Sequence, residues 1–399
     1  MSSSRVARSP HPAGRSQWRL ALAAFFAGLA SLASGKTPST TVHAQQAEPD
    51  EAAPSSTAGE TPLNLNLVAA TLGGTQVWTD EFLHGEYRIQ RNVLSGHYRL
   101  LDDQDRRLAW GTEDQCRTKF QQVAAEQRLE PIRGKVVILL HGLGRSKSVL
   151  TPLADVLREQ GGYTPLRFGY ASTREGIEQH AEALRKVIDG LGDIEELNFV
   201  GHSLGNIVLR HYLADEAARV AMATQPPAAR RKELLGPAAA PSGPAAAPPG
   251  QAAAPPGPGA KPKRPAPHRI VMLGPPNNGA MIAKRLHGTG IFGLVTGRSG
   301  EALGGNWDQL VGNLATPPCE FGIVAGGTGD GRGLNPLLPG DDDLVVRVEE
   351  TKLRGARDFL LVPFRHSQML SETAVQEAVL RFLRNGQFRV DGAREPIDE

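Results

Sequence analysis

Residues 199–206, FVGHSLGN, place one serine between two glycines. The apolar run LNFV leads into the stretch, and LGNIVLRHYLADEAARVA, with Leu204, Ile207, Val208 and Leu213 apolar, leads out of it. Glycine fills 45 of the 399 positions, so a Gly-x-Ser-x-Gly pattern is expected about 0.3 times by chance. The five residues alone therefore decide little, and their surroundings decide more. A nucleophilic serine on a strand-to-helix turn sits in a strained backbone, where side chains two before and two after would strike the neighbouring strand and helix. Ser203 is the one serine with both glycines, and it has a strand-like run before it and a helix-like run after it.

The same alternation extends in both directions. KVVILLHGLGR (135–145) is a continuous apolar run of strand length ending in glycines, as expected for a strand buried on both faces of a parallel sheet. SVLTPLADVLREQ then reads as an amphipathic helix and TPLRFGY as a strand. REGIEQHAEALRKVIDGL reads as a helix with Ile177, Ala181, Leu184, Val187 and Ile188 on one side. Further on, RIVMLG, EFGIVAGG and DFLLVPF read as strands, and SETAVQEAVLRFLRNG as a closing helix stopped by Gly386. Strands alternating with helices predict a mostly parallel, doubly wound α/β sheet with helices on both faces.

The flanks differ in texture. Arg5, Arg8, Arg15 and Arg19 precede an apolar run from Leu20 to Ala33, and Val42-His43-Ala44 has the character of a cleavage site. Residues 1–44 therefore read as a signal peptide of an exported chain, with an N-terminal membrane anchor as the alternative. Residues 45–75 are rich in Ala, Pro, Glu and Thr and read as disordered. Residues 76–130 read as a small β extension followed by a helix carrying Cys116, Phe120, Val123 and Leu129. The catalytic domain spans 131–386, followed by a tail, 387–399. Within the domain, the Pro/Ala-rich segment 224–268 cannot build a core and reads as a disordered insertion. Residues 281–314, apolar and punctuated by glycine, read as a cap over a site. The net charge of +2 gives no electrostatic case for nucleic acid. The two cysteines, Cys116 and Cys319, have no companion ligands at metal-site spacing, and nothing in the sequence measures whether they approach one another.

A serine hydroxyl needs a base, and the base needs an orienting carboxylate. His366 follows the strand-like DFLLVPF and is the natural base. Asp341, Asp342 and Asp343 lie some twenty residues earlier, in the order Ser, acid, His. The three carboxylates do not distinguish themselves. HGLG (141–144), after the first strong strand, is positioned to offer the backbone N–H of Leu143 to an oxyanion, with the N–H of Leu204 as the second donor. His141 is read as fixing that loop and His202 as packing beside the serine.

These stretches, HGLGR (141–145), YASTREGIEQHAEAL (170–184), GHSLG (201–205), PPNNGA (275–280), DDLVVRVEETKL (342–353) and His366-Ser367, resemble the α/β-hydrolase superfamily, and within it bacterial secreted lipases and esterases of the HG-x-G type. The resemblance covers about 135–383. It implies the α/β-hydrolase fold and a Ser203–Asp343–His366 triad. In such relatives the acid commonly opens an Asp-Gly-x-Val pattern before a Val-x-x-x-Thr run. Aligning on Val346, Val348 and Thr351 selects Asp343, with Asp342 second, although Leu344 stands where the glycine would be.

The expected activity is ester hydrolysis through an acyl-enzyme, without a cofactor, on a small-molecule or lipid ester and with transient contact to a lipid surface. Two alternatives stand beside it: an acyltransferase using the same triad, and a non-catalytic hydrolase-like binding protein.

Overall fold

The computed structural model describes residues 69–70, 76–224, 266–286 and 290–398. The signal peptide expected over 1–44 lies outside the described residues. So do 45–75 apart from Ala69 and Ala70, and 224–268 apart from Thr224 and 266–268.

Alternating runs near the N-terminus build an antiparallel sheet. Its strands are β1 (Ala69–Ala70), β2 (Trp78–His84), β3 (Tyr87–Asn92), β4 (Tyr98–Leu101) and β5 (Arg106–Gly111), in the order β1-β5-β4-β3-β2. Ala69 and Ala70 thus pair with Arg107 and Arg106, although their surroundings were expected to lack structure. Helix α1 (Glu113–Gln127) starts at Thr112, whose hydroxyl accepts from the Gln115 amide. It buries Cys116 among Phe82, Ile89 and Leu100.

The long apolar runs form a second sheet from β6 (Lys135–Leu140), β7 (Thr164–Phe168), β8 (Glu196–His202), β9 (Pro267–Leu273), β10 (Glu320–Gly326) and β11 (Asp358–Val362). The order is β11-β10-β9-β8-β6-β7, and each neighbouring pair is parallel. Strand β6 explains why the run is apolar throughout. Val136, Ile138 and Leu140 enter one buried cluster, and Val137 and Leu139 enter the other. Each fully buried Val, Leu or Ile contributes about 1.5–3 kcal/mol. Pro165 lies in β7, at the sheet edge, where a residue without an N–H is tolerated.

The helices are α2 (Thr151–Glu159), α3 (Ile177–Asp189), α4 (Leu204–Thr224), α5 (Met281–Leu286), α6 (Gly290–Gly304), α7 (Trp307–Val311), α8 (Val348–Thr351) and α9 (Thr373–Asn385). Helices α2 and α9 cover the Val137 face, and α3 and α4 cover the Ile138 face. Gly386, at φ 71°, ends α9 with its amide on the Phe382 carbonyl. The following tail is tied down: Phe388 is buried, its N–H donates to Asp358 Oδ2 at 2.7 Å, and Ile397 pairs with Ala356. Ile282, Ala283, Leu303, Trp307 and Leu310, from the segment assigned to a cap, are buried in the same cluster as α4. Among the described residues no helix is long and apolar enough to cross a membrane.

Topology locates the crevice. From β6 the chain moves outward to β7, whereas β8 lies on the other side of β6 and the chain then moves away to β9. The loops after β6 and β8 therefore diverge to opposite faces, and a cleft opens at their carboxyl ends.

Candidate active site

The turn after β8 holds Ser203 at φ 54°, a left-handed conformation that a non-glycine residue adopts at a cost of order 1–3 kcal/mol. Its N–H donates to the Leu273 carbonyl at 2.9 Å, and its own carbonyl accepts from the Asn206 amide and from Asn206 Nδ2, each at 3.1 Å. The flanking glycines have separate steric reasons. A β-carbon on Gly201 would lie 2.3 Å from Asn206 Oδ1, in the first turn of α4. One on Gly205 would lie 2.7 Å from the Leu140 carbonyl oxygen and 2.9 Å from that of His141. The helix can leave the turn at this angle only if both positions are bare.

His366 approaches the turn from beyond β11. Its Nδ1 meets Asp343 Oδ2 at 2.7 Å, and its backbone N–H donates to the Asp343 carbonyl at 3.0 Å. Asp343 is fully buried, and its second oxygen accepts from the amides of Val345 and Val346 at 3.0 and 2.8 Å. A carboxylate acceptor at Nδ1 puts the proton there and leaves the Nε2 lone pair free. Nε2 is buried and has no hydrogen-bond partner among the described residues. No hydrogen bond joins it to Ser203 Oγ in this structure; such links often close only when substrate binds.

The three adjacent aspartates have three different duties. Asp341 accepts from the amides of Thr328 and Gly329. Asp342 accepts from the amides of Asn335 and Leu344, at 3.0 and 2.7 Å, and makes no contact with His366. Burial pushes its carboxyl up to about 6. Only Asp343 meets the histidine. Leu344, at the position where the resemblance led us to expect glycine, has φ 86°. The backbone there has the conformation glycine favours, and Asn335 Nδ2 secures it by donating to the Leu344 carbonyl at 2.7 Å.

Loop 141–145 lies against the serine. A β-carbon on Gly142 would come within 3.1 Å of Ser203 Cβ. The Gly142 carbonyl faces two donors, His141 Nδ1 at 2.9 Å and the Arg145 amide at 3.2 Å. A trans peptide points its C=O and N–H in opposite directions, so this anchoring aims the Leu143 N–H the other way. Neither that N–H nor the N–H of Leu204 has an acceptor among the described residues. Such orphan donors are what an oxyanion requires. His141 Nε2 accepts from the Tyr170 amide at 3.3 Å, which fixes the proton on Nδ1. Burial lowers His141 to about 4, so the ring stays neutral.

The crossover switch, the strained serine turn and the two orphan amides complete one arrangement at the carboxyl ends of β6 and β8. The chain has an α/β-hydrolase fold. No family profile matches the chain, and no curated protein matches it. Solved structures similar to the chain include the following three, all at low identity. The mature form of a Bacillus licheniformis lipase is 13% identical, covering 65% of this chain and 94% of its own, with a TM-score of 0.40. A Legionella pneumophila phospholipase is 14% identical, covering 63% and 57%, with a TM-score of 0.39. Est1E from Butyrivibrio proteoclasticus is 14% identical, covering 64% and 90%, with a TM-score of 0.35. The chemistry rests on this chain's own residues.

Two features of this site were not readable in the sequence. His202 Nε2 donates to the His366 carbonyl at 2.9 Å, and the two rings lie 4.8 Å apart. Burial, with His366 adding to it, holds the His202 pKa well below its ordinary value, so this donor stays neutral. The motif PPNNGA meets the segment behind Asp343: Asn277 Nδ2 donates to the Thr351 carbonyl at 2.8 Å, and Asn278 Nδ2 to that of Lys352 at 2.8 Å. Cys116 and Cys319 are both free, and burial pushes their thiols up to about 11 and 12. Among the described residues no group of three or more His, Cys, Asp or Glu is arranged to hold a metal ion.

Proposed function

We propose that this chain is an exported serine hydrolase that cleaves carboxylic esters through an acyl-enzyme. Ser203 Oγ attacks the acyl carbon while His366 Nε2 takes the hydroxyl proton. The amides of Leu143 and Leu204 hold the oxyanion. His366 then protonates the alcohol leaving group, and Asp343 balances the imidazolium charge throughout. Water, deprotonated by His366, attacks the acyl-enzyme, and as the acid leaves His366 returns the proton to Ser203 Oγ. This scheme uses no cofactor. Its substrate is a small-molecule or lipid ester with an apolar acyl group, met in part at a lipid surface.

One observation carries the reading. His366 is buried with Nδ1 committed to Asp343 and Nε2 unpartnered, beside a serine held in a strained turn. His180 and His202 also keep one buried ring nitrogen without a partner, but only His366 pairs its other nitrogen with a buried carboxylate, which is what a general base beside a serine requires.

A fluorophosphonate probe tests it. The wild-type chain labels, and Ser203→Ala does not. A folded wild-type chain that fails to label is not a serine hydrolase. Hydrolysis of p-nitrophenyl esters from acetate to palmitate, with and without an oil interface, then reads the acyl preference.

A further inference from the structure

The N-terminal antiparallel sheet has no part in the scheme above, yet one of its approaches reaches the oxyanion loop. Gln76 stands two residues before β2, at φ 56°, a strained position for a non-glycine residue. Both ends of its side-chain amide are in use. Nε2 donates to the Arg145 carbonyl at 2.8 Å, at the end of the HGLGR loop. Oε1 accepts from the Thr173 amide at 3.2 Å, from Thr173 Oγ1 at 2.8 Å and from Ser172 Oγ at 3.3 Å. Ser172 Oγ in turn accepts from the Gly144 amide at 3.0 Å. One side chain therefore ties both ends of the Gly144–Arg145 dipeptide to the segment after β7. The Gly142 and Leu143 backbone, pressed against Ser203, follows immediately upstream.

We propose that Gln76 is a positioning residue for the oxyanion loop. Through Arg145 and through Ser172 it fixes the loop from which the Leu143 N–H projects, and the N-terminal sheet thereby sets the efficiency of acyl transfer at Ser203. This rests on the serine-hydrolase reading. An orphan amide stabilises a transition state only if it is held in place beforehand, and a shift of 1 Å costs on the order of a hundredfold in rate. His141 and Tyr170 hold the upstream end of the loop, and the Gly144–Arg145 end has its side-chain ties through Gln76 and Ser172.

The test compares Gln76→Met, which keeps the length and loses both polar ends, with Thr79→Ala. Thr79 Oγ1 accepts from the Ala171 amide at 3.2 Å, so that variant removes another bond between the two sheets without touching residues 144–145. Three quantities are read: the rate of Ser203 labelling by a fluorophosphonate, kcat and KM for p-nitrophenyl acetate, and the thermal midpoint. Gln76→Met lowers the labelling rate and kcat together by roughly tenfold to a hundredfold. KM and the thermal midpoint change little, and Thr79→Ala retains wild-type rates. Ser172→Ala added to Gln76→Met costs less than the product of the single losses, because both act on the Gly144 amide. Equal rates in Gln76→Met and wild type overturn the inference, as does an equal loss in Thr79→Ala, which would make the tie one of general docking. A wild-type chain with no Ser203-dependent labelling removes the serine-hydrolase reading itself, and this inference with it.

Discussion

His202 Nε2 donates to the backbone carbonyl of His366 across 2.9 Å, so the residue before the serine holds the loop that carries the histidine. Losing this tie frees the His366 loop from the turn. We expect His202→Ala to lower kcat by roughly tenfold to a hundredfold with little change in KM. His202→Gln, which retains a donor, should recover part of the loss. Full kcat in the alanine variant would show that the carbonyl needs no partner there.

The aspartates separate by function. Asp343→Asn places an amide against His366 Nδ1 and favours the wrong tautomer, a change that costs about 10⁴ in kcat in a well-studied triad of another fold. Asp342→Asn keeps an acceptor for the Asn335 and Leu344 amides and should leave kcat within a few-fold of wild type. Steady-state rates on one ester decide it, and equal losses in the two variants would reject the division of labour.

Asp342 also predicts a pH dependence of stability. Burial raises its folded-state carboxyl from 3.8 to about 6. The folded chain thus binds the proton more tightly than the unfolded one, and the associated stability is full below about 4 and lost as pH rises through 6. Asp342→Asn has no such titration. Its thermal midpoint, relative to wild type, should therefore rise between pH 4 and pH 6.5. A difference that is flat across that interval counts against the raised carboxyl.

Leu344 reverses an ordinary ranking. Glycine normally costs stability relative to alanine, but at φ 86° alanine carries the strain and glycine does not. Leu344→Gly should be more stable than Leu344→Ala by about 1 kcal/mol in chemical denaturation. The opposite order would mean that the backbone relaxes once the leucine is gone.

The sequence exposed what is local. The runs around Ser203, the unbroken apolar run of β6 and the glycine that stops α9 are each written within a dozen residues. His366 followed from its place after a strand. Asp343 rested on a pattern match, because three carboxylates in a row look alike until each finds its own amides. What stayed hidden is long-range. His202 and His366 are 164 positions apart, and Gln76 and Thr173 are 97. No period or motif connects such pairs; the sequence placed His202 beside the serine but gave no sign of its bond to the His366 loop, and Gln76 is not a residue type that announces a role. The docking of residues 387–398 was likewise unreadable, since it depends on the buried Asp358 carboxylate that accepts from the Phe388 and Glu395 amides.

Strand β7 is one of the two edge strands of the parallel sheet, and the N-terminal sheet meets its end where Asp80 exchanges hydrogen bonds with Gly169, 89 positions away. Contacts of that span form late, because the intervening chain must order before they are rewarded. Until that contact forms, the Gly169 amide and carbonyl just past the end of β7 lack these partners and are open to other chains. Recovery from denaturant should accordingly fall as protein concentration rises, and chains emerging from the ribosome, which complete the N-terminal sheet first, escape that hazard.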